Sequence, residues 1–210
     1  MAVAVSVVLS CCHTDHGGRC RIVGVVNGEQ YEGRRIFLVP LSGPATAETV
    51  DSVEIKDGKF CFVPDSAKIY KILMDYRFRM GLQPLLVVAE PGEVQVVIDS
   101  VSHATGTPQN DSLEQWKIRT ETHNRQMGMM HKSIADLTKK NDSVQADSLK
   151  QRADSLHVVY KNYTRRMAEN LQGTLLGDFL KGLYPKTYKR SLADGRVITI
   201  DADTHEEIPE

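Results

Sequence analysis

The sequence lacks several features that mark whole classes of protein. Its 210 residues contain no apolar run near the roughly 20 residues that a membrane-spanning helix needs. An excess of positive or negative charge is missing too, since 26 basic and 27 acidic residues leave a net charge of −1. A protein that binds nucleic acid through phosphates usually carries a basic stripe, and a membrane-binding surface often carries a polybasic patch. We therefore expect no nucleic-acid partner.

Short motifs of common enzyme mechanisms are also missing. The chain has no C-x-x-C redox pair and no Gly-x-Ser-x-Gly elbow to present a nucleophilic serine. No lysine follows Gly106-Thr-Pro at the spacing of a phosphate-binding loop, so we interpret this segment as a strand exit leading into a helix. We therefore predict a non-enzymatic protein without catalytic residues, cofactor or metal.

What is present begins with an apolar N-terminus. The first twelve residues, MAVAVSVVLSCC, have the length of the apolar region of a secretory signal peptide. The small residues before Cys11 and Cys12 resemble the lipobox of bacterial lipoproteins, in which one cysteine carries the lipid. Two or three acyl chains hold a soluble domain at a membrane where a single chain would not. We therefore predict an envelope protein lipidated on Cys11 or Cys12 and facing the periplasm or the cell surface. A buried first strand is the alternative, because AVAVSVVL also favours β structure.

The next part of the chain has the pattern of an antiparallel β-sandwich. Short runs of Val, Ile, Phe and Tyr alternate with turn residues, and Asp57-Gly58 between VEIK and KFCF is a strong hairpin signal. Parallel pairing would require crossover helices, for which no segment is long enough. The seven predicted strands are 21–26, 35–41, 49–56, 59–63, 68–75, 85–89 and 94–100.

After Thr107 the apolar period changes to that of helices. Asp111 and Glu114 have capping-box spacing with Pro108 just upstream, which predicts a helix start near Asp111. Two seams separated by a turn near Asn141 predict an antiparallel helical hairpin, and a shorter helix is expected at about 175–184. The first seam contains Leu113, Trp116, Thr120, His123, Met127, Met130, Ile134 and Leu137, and the second contains Leu149, Leu156, Tyr160, Tyr163, Met167 and Leu171.

These patterns divide the chain into five predicted segments. A signal peptide with its lipobox occupies 1–12, a tether 13–20, the β-sandwich 21–108, the helical hairpin region 109–184, and a C-terminal tail 185–210. Charged residues on the helix exteriors are interpreted as a solvated face, and they include Lys150, Arg152, Lys161, Arg165 and Arg166. The Tyr160–Met167 seam is interpreted as packing within the hairpin. Docking of a partner helix on that seam is the alternative.

Cysteine and histidine supply the candidate sites. Cys20 and Cys61 could form a disulfide if their strands are neighbours with Cα atoms within about 7 Å. The segment with Cys11, Cys12, His13, His16 and Cys20 contains zinc-type ligands, but its spacing fits no standard structural site and a tether is the simpler interpretation.

The hairpin brings a second group of candidate ligands into consideration. His123 and His157 fall at similar heights if the hairpin turns near Asn141. A metal would need further ligands beside them, so we interpret His123 as a partly buried spacer.

Three motifs resemble a known family. They are Ile22-Val-Gly-Val-Val-Asn-Gly28, Asp51-Ser-Val-Glu-Ile-Lys-Asp-Gly-Lys-Phe-Cys-Phe62, and Glu90-Pro-Gly92 with Gly106-Thr-Pro-Gln-Asn-Asp111. Together they resemble the domain of unknown function that precedes the thioredoxin-like domain in thiol:disulfide interchange lipoproteins of Bacteroidota. Glu169-Asn-Leu-Gln-Gly-Thr-Leu-Leu-Gly177 is loosely similar to the step that follows the helical hairpin in those proteins.

The resemblance spans about residues 20–184 and implies a fold more than a function. Only about 25 residues follow Pro185, fewer than a domain needs, so we do not expect the disulfide chemistry of those proteins in this chain.

Two functions remain open on the sequence. The first is a non-catalytic, lipid-anchored envelope protein with a binding or assembly role and a possible envelope protein partner. The alternative is an accessory to envelope thiol–disulfide exchange that works with a separate thioredoxin-like partner.

Overall fold

Turn residues in the first half of the chain separate short strands in which apolar and polar residues alternate. The computed structural model describes residues 18–74, 85–192 and 195–209. Each of the seven predicted strands is present there, within two residues at every end, together with an eighth that the sequence did not indicate. The predicted end of the fifth strand, Asp75, lies outside the described residues. The strands are β1 (Cys20–Val26), β2 (Arg35–Pro40), β3 (Asp51–Glu54), β4 (Lys59–Phe62), β5 (Ile69–Leu73), β6 (Leu85–Val88), β7 (Gly92–Ile98) and β8 (His103–Thr105).

These eight strands form two sheets that enclose one apolar core. The first sheet has the order β4-β1-β7-β8 and the second β3-β2-β5-β6. Ile22 and Phe62 of the first sheet and Leu38 and Val87 of the second are almost fully buried in the same cluster. Because every second residue of a strand faces the same side, this alternation alone builds the sandwich interior.

One pairing departs from the antiparallel expectation. β1 and β7 run parallel over their whole length, with Cys20 beside Gly92 and Val26 beside Ile98. The connection between them needs no helix, because the intervening strands of both sheets carry the chain back to the same end. The expectation considered only crossover helices and was wrong on this point.

Three helices follow: α1 (Pro108–Lys139), α2 (Ser143–Asn170) and α3 (Leu175–Leu183). The hairpin prediction is confirmed, and Asn141 makes the turn with a φ of 57°. Asp142 caps α2 by accepting a hydrogen bond from the Gln145 amide. The predicted start of α1 was wrong, because Pro108 is its first residue rather than a block upstream. Asp111 instead accepts a hydrogen bond from the Gly106 amide at 2.9 Å.

The helices cover the outer face of the second sheet. Along β6, Leu85 and Val87 point into the sandwich core, whereas Leu86 and Val88 point into a second cluster. That second cluster contains Leu113 of α1, Ala168 of α2, and Leu176 and Leu180 of α3. β6 is therefore packed on both faces, which explains its continuous apolar sequence LLVV.

The segment predicted as a C-terminal tail is folded. β9 (Thr187–Ser191), β10 (Val197–Asp201) and β11 (Glu207–Ile208) form a separate antiparallel sheet in the order β11-β10-β9. Ile198 and Ile200 of β10 are buried. In the described part of the chain, no helix has the length and apolar character needed to cross a membrane.

Candidate functional site

Asn110, on the first turn of α1, joins the helices to the sandwich. Its side chain is 0% exposed. The Asn110 amide nitrogen donates to the Val88 carbonyl at 2.8 Å, and its oxygen accepts from the Val88 amide at 2.9 Å. β6 lies at the edge of its sheet, so the side-chain amide occupies the position that a neighbouring strand would take.

Glu90, between β6 and β7, makes a second connection. Its carboxylate accepts from the backbone amide of Gln109 at 2.7 Å and from the side-chain amide of Gln109 at 2.9 Å. The negative charge therefore lies at the N-terminus of α1, where the helix dipole favours it. Gln109 in turn accepts from the Leu176 amide of α3 at 3.0 Å. Two hydrogen-bonding side chains thus connect the sandwich, α1 and α3.

Two further residues, Glu32 and Gly106, stabilise or permit turns of the sandwich. Glu32 accepts hydrogen bonds from the backbone amides of Asp57 and Gly58, which holds the tight hairpin between β3 and β4. Gly106 has a φ of 99°, and a Cβ there would lie 2.8 Å from the Glu93 carbonyl. The motifs Asp57-Gly58, Glu90-Pro-Gly92 and Gly106–Asp111 thus form turns and junctions.

Cys20 and Cys61 do not form a disulfide in this structure. Both are free thiols, although β1 and β4 are neighbouring strands as a bridge would require. Cys61 pairs with Val23, whereas Cys20 shares the inward face of β1 with Ile22, so the two side chains leave opposite faces of the sheet. Burial raises the pKa of the Cys20 thiol, which makes this cysteine a weak nucleophile.

A cleft of about 500 Å³ separates the start of α1 from the loop between β7 and β8. Leu86, Leu113 and Trp116 give it apolar walls, and Asp99 and Glu114 add carboxylates. Its volume lies in the range of small-ligand sites. Lys117 crosses one end, where its ammonium group donates to the Ser102 carbonyl.

A cluster of aromatic and histidine rings lies between α1, α2 and the residue that follows α3. We call His123, His157, Tyr160 and Tyr184 the ring cluster. The His123 ring stacks on Tyr160 with centroids 4.2 Å apart and lies 5.6 Å from His157. Tyr184 meets both His157 and Tyr160 edge to face. The predicted proximity of His123 and His157 is therefore confirmed.

The ring cluster contains polar atoms that are buried or hydrogen-bonded within the hairpin. The Tyr160 hydroxyl lies 2.6 Å from the Thr120 hydroxyl, whereas Nδ1 of His123 is buried and has no hydrogen-bond partner among the described residues. Burial lowers the pKa of His123, and the positive charges that His157 and Arg119 can carry lower it further. Burial also raises the pKa of Tyr184, and Tyr160 adds to this effect.

The Tyr160–Met167 seam packs within the chain. Tyr160 is buried in the ring cluster, Arg119 lies over the Tyr163 ring at 5.7 Å, and Met167 packs against the second apolar cluster, between the second sheet and the helices. The side chains of this seam therefore meet partners from α1 and the second sheet.

Ion pairs fasten the C-terminal sheet to α2. Asp203, in the turn after β10, pairs with Lys161 at 2.6 Å and with Arg165. Arg165 also donates to the carbonyls of Tyr184 and Pro185. The interpretation of Lys161 and Arg165 as part of a solvated face was therefore wrong, because both side chains are mostly buried against the C-terminal sheet. These two cations hold the pKa of Asp203 down at about 2.

The ligand candidates predicted from the sequence lie only partly within the described structure. Cys11, Cys12, His13 and His16 lie outside the described residues. Across 18–74, 85–192 and 195–209, no group of three or more His, Cys, Asp or Glu side chains is placed to hold a metal ion.

Several residues with defined roles in the structure were not singled out from the sequence. These are Asn110, Glu90, Gln109 and Tyr184, which make the junction and complete the ring cluster. Glu90, Gln109 and Asn110 did belong to the family-like motifs, which was the one signal available.

Comparison with known proteins adds a family match over the first half of the chain. No curated protein and no solved structure matches the chain. Residues 20–113 match the model of a domain of unknown function, DUF4369. The match begins at the first residue of β1 and ends within the second turn of α1, so it covers the whole sandwich and the Glu90, Gln109 and Asn110 junction.

Proposed function

We propose that this chain is a non-catalytic binding or assembly module of the cell envelope, held at the membrane by a lipid on Cys11 or Cys12. The observation that carries the non-catalytic part is the use of the motif side chains. Those side chains bond backbone groups at a turn, at helix starts and at the edge of β6, and they are Glu90, Gln109, Asn110 and Asp111. Side chains used in this way stabilise the fold, whereas an active site needs reactive side chains that converge on one point.

The position of β1 supports the anchor. β1 begins at Cys20, eight or nine residues after the candidate lipidated cysteines. A tether of that length spans at most roughly 30 Å. An acylated cysteine would therefore keep the sandwich close to the bilayer surface.

The cleft between α1 and the β7–β8 loop supports a binding role. Its apolar walls and few carboxylates match the usual make-up of small-ligand sites. A ligand held there would meet Leu86, Leu113 and Trp116 with its apolar part.

The anchor is tested by the double substitution Cys11→Ser, Cys12→Ser, expressed in the source cell and followed by membrane fractionation. We expect the protein to leave the membrane fraction, because the acyl acceptor is gone. Intact mass spectrometry of the unsubstituted protein should show a mature N-terminus at one of the two cysteines, with acyl chains attached.

Cys61→Ser is the matched control, because it removes a half-buried thiol without touching the N-terminus. It should remain in the membrane fraction. Membrane association that survives the double substitution would contradict the anchor.

The alternative role in thiol–disulfide exchange has less support. Cys20 is 8% exposed, and burial raises the pKa of its thiol. Cys61 is the more accessible of the two thiols. If the alternative holds, Cys61 should trap a thioredoxin-like protein in a mixed disulfide in envelope extracts, and Cys61→Ser should abolish that adduct.

A further inference from the structure

We propose that the ring cluster is a pH-sensitive latch, in which protonation of His123 releases α1 from α2. The proposal does not depend on the lipid anchor or on the binding role. It rests on the position of His123, which is 7% exposed and packed face to face on Tyr160.

The chemistry of the imidazole makes this position sensitive to protons. In the neutral ring, the buried Nδ1 atom of His123 already carries the cost of one unsatisfied neutral group. Protonation converts Nδ1 into an N–H donor and adds a charge, yet no acceptor in the described part of the chain lies within hydrogen-bonding distance. An unsatisfied buried donor that also carries charge is strongly unfavourable, so opening of the contact becomes the easier way to hydrate it.

Among the described groups around His123, the face of the Tyr160 ring attracts that charge, but none carries an opposite charge that would neutralise it. Arg119 lies on the same helix, His157 and Tyr160 face it from α2, and Tyr184 closes the cluster from the segment after α3. None of these four described neighbours is a carboxylate. Arg119 and a charged His157 both act against a second positive charge.

The sign of the effect follows from linkage. An unfolded or opened chain binds a proton at the ordinary histidine pKa of 6.5, whereas burial lowers the pKa of His123 in the closed state. The closed state is therefore fully stable above that value and loses stability as the pH falls below it. One proton changes the closing equilibrium by up to about tenfold per pH unit.

Trp116 provides the first test, since it is the only tryptophan and donates to Thr164 across the hairpin. Urea unfolding followed by Trp116 fluorescence is measured between about pH 7.5 and 5.5. We expect the urea midpoint of the wild-type protein to fall as the pH decreases. His123→Phe keeps a flat ring on Tyr160 but cannot titrate, so its midpoint should fall less. His131→Gln, on the exposed face of α1, should behave as wild type.

A second measurement uses the unsubstituted chain, in case His123→Phe does not fold. Amide hydrogen exchange is normalised to the intrinsic rate at each pH. Protection should fall selectively in the α1 and α2 peptides around His123 and Tyr160 as the pH decreases, with β1 and β7 unchanged. Equal pH dependence in wild type and His123→Phe, or equal exchange in the helices and the sandwich, would overturn the proposal.

Discussion

At the scale of single residues, a side chain makes the hydrogen bonds that a neighbouring strand would otherwise make at the edge of the second sheet. Asn110 bonds both the amide and the carbonyl of Val88, and so satisfies the open edge of β6 where α1 begins. Loss of one such side chain leaves two buried backbone groups unpaired, which costs more than the loss of an exposed hydrogen bond.

Asn110→Ala should therefore lower the free energy of unfolding by about 2–4 kcal/mol. Urea denaturation at neutral pH measures the change. Asn162→Ala on the exposed face of α2 is the control and should change stability by less than about 0.5 kcal/mol. Equal effects at the two positions would show that the Val88 pairing contributes little.

Two glycines should respond to alanine with opposite signs. Gly106 has a positive φ, and a Cβ there would meet the Glu93 carbonyl at 2.8 Å. Gly106→Ala should destabilise the fold by about 1–3 kcal/mol. Gly128 lies inside α1 with open space around it, so Gly128→Ala should stabilise by about 0.5–1 kcal/mol. Thermal unfolding of both variants decides the point, and a stabilising Gly106→Ala would be the contrary result.

Residue roles were only partly predictable from the sequence. The proximity of His123 and His157 followed from helical spacing and a turn near Asn141, because both are local properties. The pairing of Asn110 with Val88 did not follow, since it joins residues 22 positions apart through a side chain. Asp111 was misassigned because capping-box spacing is also satisfied inside a helix that starts one turn earlier.

At the scale of elements, the C-terminal sheet depends on α2 for its position. Asp203 is its link to Lys161 and Arg165, and these cations keep the pKa of Asp203 at about 2 against an ordinary value of 3.8. Because the folded pKa is the lower one, the stabilising contribution is complete above about pH 3.8 and is lost as the pH falls toward 2.

Asp203→Asn should therefore loosen the sheet at neutral pH. Amide exchange in β9 and β10 should rise, and acidification toward pH 2 should produce a smaller further rise than in wild type. Asp147→Asn removes an exposed pair with Lys150 on the same helix and should leave β9 and β10 unchanged. Protection in the sheet that is insensitive to Asp203 would mean that Ile198 and Ile200 hold it alone.

Elements with strong local signals were predicted well. Asp57-Gly58 and the Val/Ile-rich runs located the seven strands, and the change of period located the helices. β8 has three residues, and β9 has five exposed ones, so neither carries an apolar alternation to detect. The parallel β1–β7 pair was missed because pairing between strands about 70 residues apart leaves no local pattern.

At the scale of the whole molecule, the second sheet lies between the sandwich interior and the helices. Alternate residues of β6 belong to the two apolar clusters, so neither cluster can open without exposing a face of this strand. We therefore expect the sandwich and the base of the helices to unfold together.

Leu180→Ala tests this coupling, because Leu180 is fully buried between α3 and β6. It should lower the free energy of unfolding by about 2–5 kcal/mol. The unfolding midpoints measured by Trp116 fluorescence and by far-UV circular dichroism should fall by the same amount. Leu183→Ala, at an exposed position on the same helix, should shift neither. Separate transitions for the two signals would show that the clusters unfold independently.

The central position of β1 has a mechanical consequence for an anchored protein. Seven residues of β1 pair with β7 and four pair with β4, so the strand is bonded on both sides. A pull through the proposed lipid tether that is directed along β1 would load both ladders in shear, with many hydrogen bonds resisting at once. An edge strand pulled across its axis would instead release its bonds one after another. If the proposed anchor holds, β1 is therefore a strand suited to bear tension between the membrane and a bound partner.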